Sequence, residues 1–222
     1  MGGEGPKYER LASVPVAKDL LLEERKERIQ QVVEQRTRTL TVVLDKLEDT
    51  FNMAAVVRTC EGMGIQELHL ISNSKAPFRP NDKVTQGCDK WIELYEYGDF
   101  AACQTHLKSR GFSLWASALQ PAAQDLFSLR FDSKVALIFG NERGGVSDEA
   151  VAGADGLFWI PMQGFTRSLN ISAAVSACLT RAVSWRIEHL GRAGDLTPQE
   201  RQTLLGRFEV LSVKQRKRIY NR

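Results

Sequence analysis

Apolar positions fall into two rhythms along this chain. Short apolar stretches occur at Thr41-Val-Val-Leu44, Leu68-His-Leu-Ile71, Trp91 to Tyr97, Ser113-Leu-Trp-Ala-Ser117, Val135-Ala-Leu-Ile-Phe139 and Leu157-Phe-Trp-Ile160. They are too short for helices, and several are apolar at consecutive positions, as strands buried on both faces of a parallel sheet are. Between them the spacing changes to every third or fourth residue. Helices are expected from Thr50 or Asn52 to about Cys60, over Phe100 to Arg110, and over Ile171 to Leu190. In the last of these, Ile171, Ala174, Val175, Cys178, Leu179, Ala182 and Val183 mark a single face. Strand, helix and strand within about thirty residues make a βαβ unit, so the expected class is α/β, a mostly parallel sheet flanked by helices.

Punctuation sharpens the boundaries. Thr50 and Asn52 are both suited to cap the first core helix, with Gly62 or Gly64 ending it, and Ser168 and Asn170 stand where the helix from Ile171 needs a cap. Ser147-Asp-Glu-Ala150 opens a short helical piece, and Ser72 to Lys90 is a surface loop leading into another. Thr197-Pro-Gln-Glu200 is a capping box with proline at the first helical position, which starts a last helix. At the other end, Lys18 to Arg38 has Leu21, Leu22, Ile29, Val32 and Val33 among charges, an amphipathic helix whose outer face is either solvated or grips a polyanion. The chain divides accordingly into an N-terminal helical extension (1–38), a central domain (39–190) and a C-terminal basic extension (191–222).

Composition narrows the class. A chain of 222 residues with 43% hydrophobic and 26% charged residues is ordinary for one globular domain with appended helices. No apolar run approaches the ~20 residues of a membrane span, and Met1 to Arg10 lacks a signal peptide's apolar centre. Cys60, Cys88, Cys103 and Cys178 form no C-x-x-C, and His69, His106 and His189 are scattered, so neither a metal nor disulfides are expected and a cytoplasmic location is. Net charge is only +3, but residues 201–222 hold 7 basic and 1 acidic side chains (+6), whereas 41–200 hold 15 and 19 (−4). The basic run Lys214-Gln-Arg-Lys-Arg218 is either a solvated tail or a set of phosphate contacts.

Two glycine-containing loops are candidates for chemistry. Gly140-Asn-Glu-Arg-Gly-Gly145 follows one expected strand and Met162-Gln-Gly-Phe-Thr-Arg-Ser-Leu-Asn170 follows another, which places both at the carboxyl ends of what read as adjacent parallel strands. Open α/β sheets bind ligands there. Neither loop is G-x-G-x-x-G, and no G-x-x-x-x-G-K-[ST] occurs, which argues against dinucleotide and P-loop folds.

Taken in order, Asn52-Met-Ala-Ala-Val-Val-Arg-Thr59, Phe139-Gly-Asn-Glu-Arg-Gly-Gly-Val-Ser147, and Ile160-Pro-Met162 with Ser168-Leu-Asn-Ile-Ser172 resemble the three motifs of the SPOUT superfamily of RNA 2′-O-ribose methyltransferases. The likeness spans about Leu40 to Leu190 and is greatest to the TrmH-type tRNA (guanosine-2′-O-)-methyltransferases. It implies an α/β fold with a C-terminal deep trefoil knot, S-adenosylmethionine as methyl donor, a homodimer, and tRNA as partner, most closely the D-loop guanosine at position eighteen. Methylation of ribosomal RNA and a non-catalytic RNA-binding module are the alternatives. The tRNA reading rests on the short terminal helices standing where other members have a separate recognition domain.

Carried across by position, the resemblance gives Arg58 the work on the 2′-hydroxyl. Ser168 would hold the adjacent phosphate, Asn170 would fix its loop, Asn52 would brace the helix of Arg58, and Glu142 would shape the glycine loop. A guanidinium is effectively always protonated, so either Arg58 takes the proton in a strongly cationic site or it orients the hydroxyl while phosphate or water takes it. The alternative for Arg58 is a side chain reaching out of a mostly buried helix to pair a carboxylate. Ser117, Gly140, Asn141, Ile160 and Leu169 would meet the cofactor, largely through backbone. RNA contacts are expected from Arg25, Arg28, Arg36, Arg38, Lys75, Arg79, Lys90, Arg167, Lys214, Arg216, Lys217 and Arg218. One departure stands out: Phe51 occupies the place where the family often has histidine.

Overall fold

The computed structural model describes residues 21–72, 82–141 and 144–220, the backbone alone for 82–83 and 214–220. Seven strands, β1 (Leu40–Asp45), β2 (Glu67–Ile71), β3 (Glu93–Tyr97), β4 (Ser113–Ser117), β5 (Gln124–Asp125), β6 (Val135–Phe139) and β7 (Gly156–Trp159), form one sheet in the order β3-β2-β1-β6-β4-β7-β5. Every pairing is parallel. Helices α1 (Glu23–Glu34), α2 (Thr50–Gly62), α3 (Asp82–Thr85), α4 (Phe100–Ser109), α5 (Asp148–Gly153), α6 (Ile171–Leu190) and α7 (Pro198–Tyr220) surround it. The strand before α4 begins at Glu93, not Trp91, because Asp89–Trp91 closes into a 3₁₀ turn.

The pleat sorts the central strands into two cores. Leu40, Val42 and Leu44 of β1 and Val135, Leu137 and Phe139 of β6 point to one side, where they pack with Val56, Val57 and Cys60 of α2 and Val175, Cys178 and Leu179 of α6. Val43, Ala136 and Ile138 point to the other, against Phe100, Cys103 and Leu107 of α4 and Ala150 of α5. Consecutive apolar residues are what a strand covered on both faces requires.

Contrary to the expected adjacency, a strand separates the two loop-bearing strands. The strands that carry the two loops, β6 and β7, are not neighbours: each pairs with β4, which lies between them. The register aligns Ala116 with Ile138 and Ser117 with Phe158, so the end of β4 sits between the loop after β6 and the loop after β7.

The terminal helices pack on each other. Leu21, Ile29 and Val33 meet Leu196, Leu204 and Phe208 in a third core, with Trp91 edge-on to Phe208 at 5.0 Å. Buried charge fastens this layer to the sheet. Arg186 of α6 donates to Phe131 O (3.0 Å), Thr37 Oγ1 (2.8 Å), Thr39 Oγ1 (2.8 Å) and Asp195 Oδ2 (2.9 Å). Arg207 of α7 reaches Glu93 on β3 at 2.6 Å. Thr197 N–H donates to Glu200 Oε2 at 2.8 Å and Glu200 N–H to Thr197 Oγ1 at 3.3 Å, the reciprocal pair that starts α7.

Candidate active site

Three strand ends and two loops enclose a cavity of about 690 Å³ at the carboxyl edge of the sheet. All five residues expected to meet a cofactor, Ser117, Gly140, Asn141, Ile160 and Leu169, line it, together with Arg167, Ser168 and Asn170. Met162 and Val146, which lie within the quoted motifs, also line it, as do Trp159, Asp148 and Gln120, which the sequence did not single out. Trp159 had a sequence signal, since it ends an expected strand just before Ile160-Pro161-Met162, where open α/β sheets bind ligands.

The loop after β6 closes on itself. Asn141 N–H donates to Gly145 O (3.1 Å), Gly145 N–H to Asn141 O (2.9 Å), and Gly144 N–H to Asn141 Oδ1 (2.7 Å). Gly145 takes φ +70, and a Cβ on Gly140 would collide with the Gly145 backbone. Glycine is therefore obligatory at Gly140, and this part of the cavity wall is bare main chain beside apolar Val146, Ile160, Met162 and Leu169. The size falls within the range of small-molecule sites. Main chain open to close approach beside an apolar slot fits a nucleoside-bearing cofactor such as S-adenosylmethionine.

On the other wall, Asn170 caps α6 by accepting from Ser172 N–H (2.9 Å) and Ser172 Oγ–H (2.6 Å). Its Nδ2 donates to Asn52 Oδ1 at 3.1 Å, so the first and third motifs, 118 residues apart, touch. Ser168, also placed as a cap from the sequence, lines the cavity instead. Asp49 caps α2 in place of Thr50 or Asn52, accepting from Phe51 N–H (2.7 Å) and Asn52 N–H (3.1 Å), which leaves the Asn52 side chain available to Asn170. Thr59 Oγ1 and Ser176 Oγ, 3.2 Å apart, pin α2 to α6 a turn and more further on.

Arg58 is not brought to the cavity. It is exposed on α2, and no hydrogen bond or ion pair to another described residue holds it. The carboxylate-seeking alternative for this side chain thus finds no partner among the described residues. The half-buried Cys88 thiol lies near it, pushed up to about 11 chiefly by burial. Burial raises all four thiols, Cys103 and Cys178 to about 12, so none supplies a thiolate nucleophile.

The basic residues separate into groups. Arg36 and Arg38, expected to face RNA, do not: Arg36 is buried, pairs with Glu61 at 2.6 Å and donates to Ile65 O, while Arg38 bridges Glu67 and Glu93. Arg36 is thus shut away from solvent, and Arg38, half-buried, already places its charge against two glutamates. Arg25 and Lys90 converge instead, 5.6 and 4.5 Å from the centre of the Trp91 ring, and burial with Arg25 nearby holds the Lys90 ammonium below its ordinary value. Arg28 on α1 and Arg167 at the cavity are exposed. Glu142, Lys75 and Arg79 lie outside the described residues, as do the side chains of Lys214, Arg216, Lys217 and Arg218 in α7. No described helix is long and apolar enough to cross a membrane.

Known proteins resemble this chain in sequence and in fold. The SpoU rRNA Methylase family matches residues 39–180. A tRNA (guanosine(18)-2′-O)-methyltransferase of Thermus thermophilus is 36% identical over 166 residues, covering 75% of this chain and 85% of that protein. An enzyme of the same name from Aquifex aeolicus is 32% identical over 201 residues, 90% of this chain and 95% of its own. The crystal structure of an A. aeolicus TrmH/SpoU tRNA modifying enzyme superposes with a TM-score of 0.78 at 30% identity, over 86% of this chain and 98% of that one.

Proposed function

The chain belongs to the SpoU methylase family, and on that basis we propose that it transfers a methyl group from S-adenosylmethionine to the ribose 2′-hydroxyl of guanosine 18 in tRNA. The observation that carries the proposal is the meeting of three distant segments at one cavity: Gly140–Asn141 and Ser168–Asn170 in its wall, and Asn52 hydrogen-bonded to Asn170.

In this reading Ser117, Gly140, Asn141, Ile160 and Leu169 hold the cofactor, which when bound supplies an electrophilic methyl on a sulfonium sulfur. The protein's share is alignment and proton removal. Ser168 holds the phosphate next to the target ribose. Asn170, locked by Ser172 and Asn52, keeps Ser168 at the cavity mouth. Arg58 meets the 2′-hydroxyl, whose proton leaves to Arg58 or to a phosphate or water that Arg58 orients.

Because Arg58 stands outside its own chain's cavity, the site is completed in a homodimer, a second copy presenting its Arg58 across a two-fold axis. Exposed apolar Phe51, Phe165 and Leu169 at the start of α2 and in the loop before α6 support such a face. Sedimentation should give a dimer at micromolar concentration, and a monomer would remove this part. Arg25, Arg28 and Lys90, with the basic end of α7, form the RNA-facing layer. The strand order sends β5–β6 and β6–β7 across β4 in opposite senses, which supports the threaded, knotted chain path that the resemblance implies.

A tRNA transcript with 2′-deoxyguanosine at position 18 tests the target atom. It should take no label from S-adenosylmethionine while its ribose counterpart does; equal labelling would place the methyl group elsewhere.

A further inference from the structure

The carboxyl end of β1 holds a buried acid that binds nothing in the cavity. Asp45 is fully buried and shares the α4–α5 face of the strand with Val43. Its Oδ2 accepts the Ser147 N–H at 2.8 Å, and its Oδ1 has no partner among the described residues. Burying a carboxyl group with an unused acceptor is unfavourable, and a leucine would fill the position at lower cost if packing were its only task. The next residue, Lys46, has φ 54, a left-handed conformation that residues with a Cβ seldom adopt. From there Asp49 and α2 follow, with Asn52 in the first turn.

We infer that Asp45 is a positioning residue for the cofactor loop, tying the hairpin Gly140–Gly145 to the turn between β1 and α2. The inference rests on the cavity being the methyl-donor site. The hairpin is closed internally by the Asn141–Gly145 pair and continues from β6 on one side. On its other side, Val146 packs into the α4–α5 core and Ser147 is held by Asp45 before its own hydroxyl caps α5 through Ala150 N–H. Gly140, Asn141, Gly144, Gly145, Val146 and Asp148 all wall the cavity, whereas Ser147 and Asp45 do not. Releasing Ser147 lets that wall pivot about Phe139, and displacements of about an ångström at such sites weaken function markedly. Since the same turn leads into α2, Asp45 also sets the loop that binds the donor against the helix that carries Asn52 and Arg58.

The test uses the full chain with S-adenosylhomocysteine as calorimetric probe and amide hydrogen exchange as a second readout. Asp45→Leu fills the volume and removes the acceptor, and it should weaken binding about tenfold, the effect of one lost hydrogen bond to a carboxylate. Asp45→Asn keeps an oxygen for Ser147 and should restore affinity to within about threefold. The Ser147 amide should exchange faster in Asp45→Leu and like wild type in Asp45→Asn. Wild-type affinity in a folded Asp45→Leu protein would overturn the inference, as would a loss of affinity that Asp45→Asn does not reverse. Should Asp45→Leu not fold, wild type decides: the probe should slow Ser147 exchange although Ser147 lies outside the cavity wall, and an unchanged rate would overturn the inference. A wild-type protein that does not bind the probe would instead refute the cofactor site itself.

Discussion

His69 lies wholly buried on β2 beside Tyr95, Tyr97, His106, Glu67 and Arg110, with its Nδ1 3.0 Å from Tyr97 Oη. Burial, aided by His106 and Arg110, pushes its imidazole down to about 3. The ring is neutral in the fold but takes a proton in the unfolded chain below about pH 6.5. Its contribution to stability is therefore present above pH 6.5 and is lost as pH falls from there toward 3, at up to roughly 1.4 kcal/mol per pH unit. Urea unfolding at pH 7, 6 and 5 should show this slope reduced in His69→Gln; identical slopes would mean His69 does not titrate as described. For Arg58 the expectation is kinetic. Arg58→Ala should abolish methyl transfer in single-turnover assays yet leave S-adenosylmethionine affinity within a few-fold, because no cavity wall is removed. Near-normal turnover would reassign the hydroxyl's partner. At this scale the sequence placed the loop glycines better than the caps or the cations. Gly140 was placed by the resemblance, and the reason is structural, since a Cβ there would meet the Gly145 backbone; Arg36 and Arg38, among glutamine and threonines, and Arg58, after an apolar run, read alike as cations open to a polyanion. Only the fold decides that the first two meet Glu61, Glu67 and Glu93 while the third stays exposed.

Among the elements, period alone located six of the seven strands and the core helices to within a residue or two, since buried parallel strands and amphipathic helices leave distinct patterns. Two-residue β5 leaves none. Strand order was not legible either: nothing in the composition of β4, β6 and β7 says that β4 lies between the other two, and that insertion is what brings Ser117 to the loops. The attachment of the terminal helices was likewise hidden, because it depends on Thr37, Arg186 and Asp195, separated by up to 158 residues. Breaking such a buried pair leaves an uncompensated charge, so Arg186→Ala should lower unfolding free energy by about 3–5 kcal/mol. Denaturant unfolding measures it, and a loss under about 1 kcal/mol would show that Asp195 is satisfied without Arg186.

Over the whole molecule, charge and chemistry occupy different regions: residues 201–222 carry +6, and the stretch 41–200 that holds the cavity carries −4. RNA attraction should then come from the ends of the chain. If Lys214, Arg216, Lys217 and Arg218 each neutralise a phosphate, replacing all four with alanine should flatten the slope of log affinity against log salt by roughly 2 to 3 units, with little change in turnover at saturating RNA. Coincident slopes would make the run a solvated tail. In the proposed function the cavity walled by the second and third motifs, with the first joined to it through Asn52, directs a methyl group to one ribose of tRNA. The most direct test of that function is to incubate the protein with mixed bulk RNA and labelled S-adenosylmethionine and map the label by nuclease digestion and mass spectrometry. A single product is expected, 2′-O-methylguanosine at position 18 of tRNA; label in ribosomal RNA, on a base, or at another tRNA ribose would refute the proposed function.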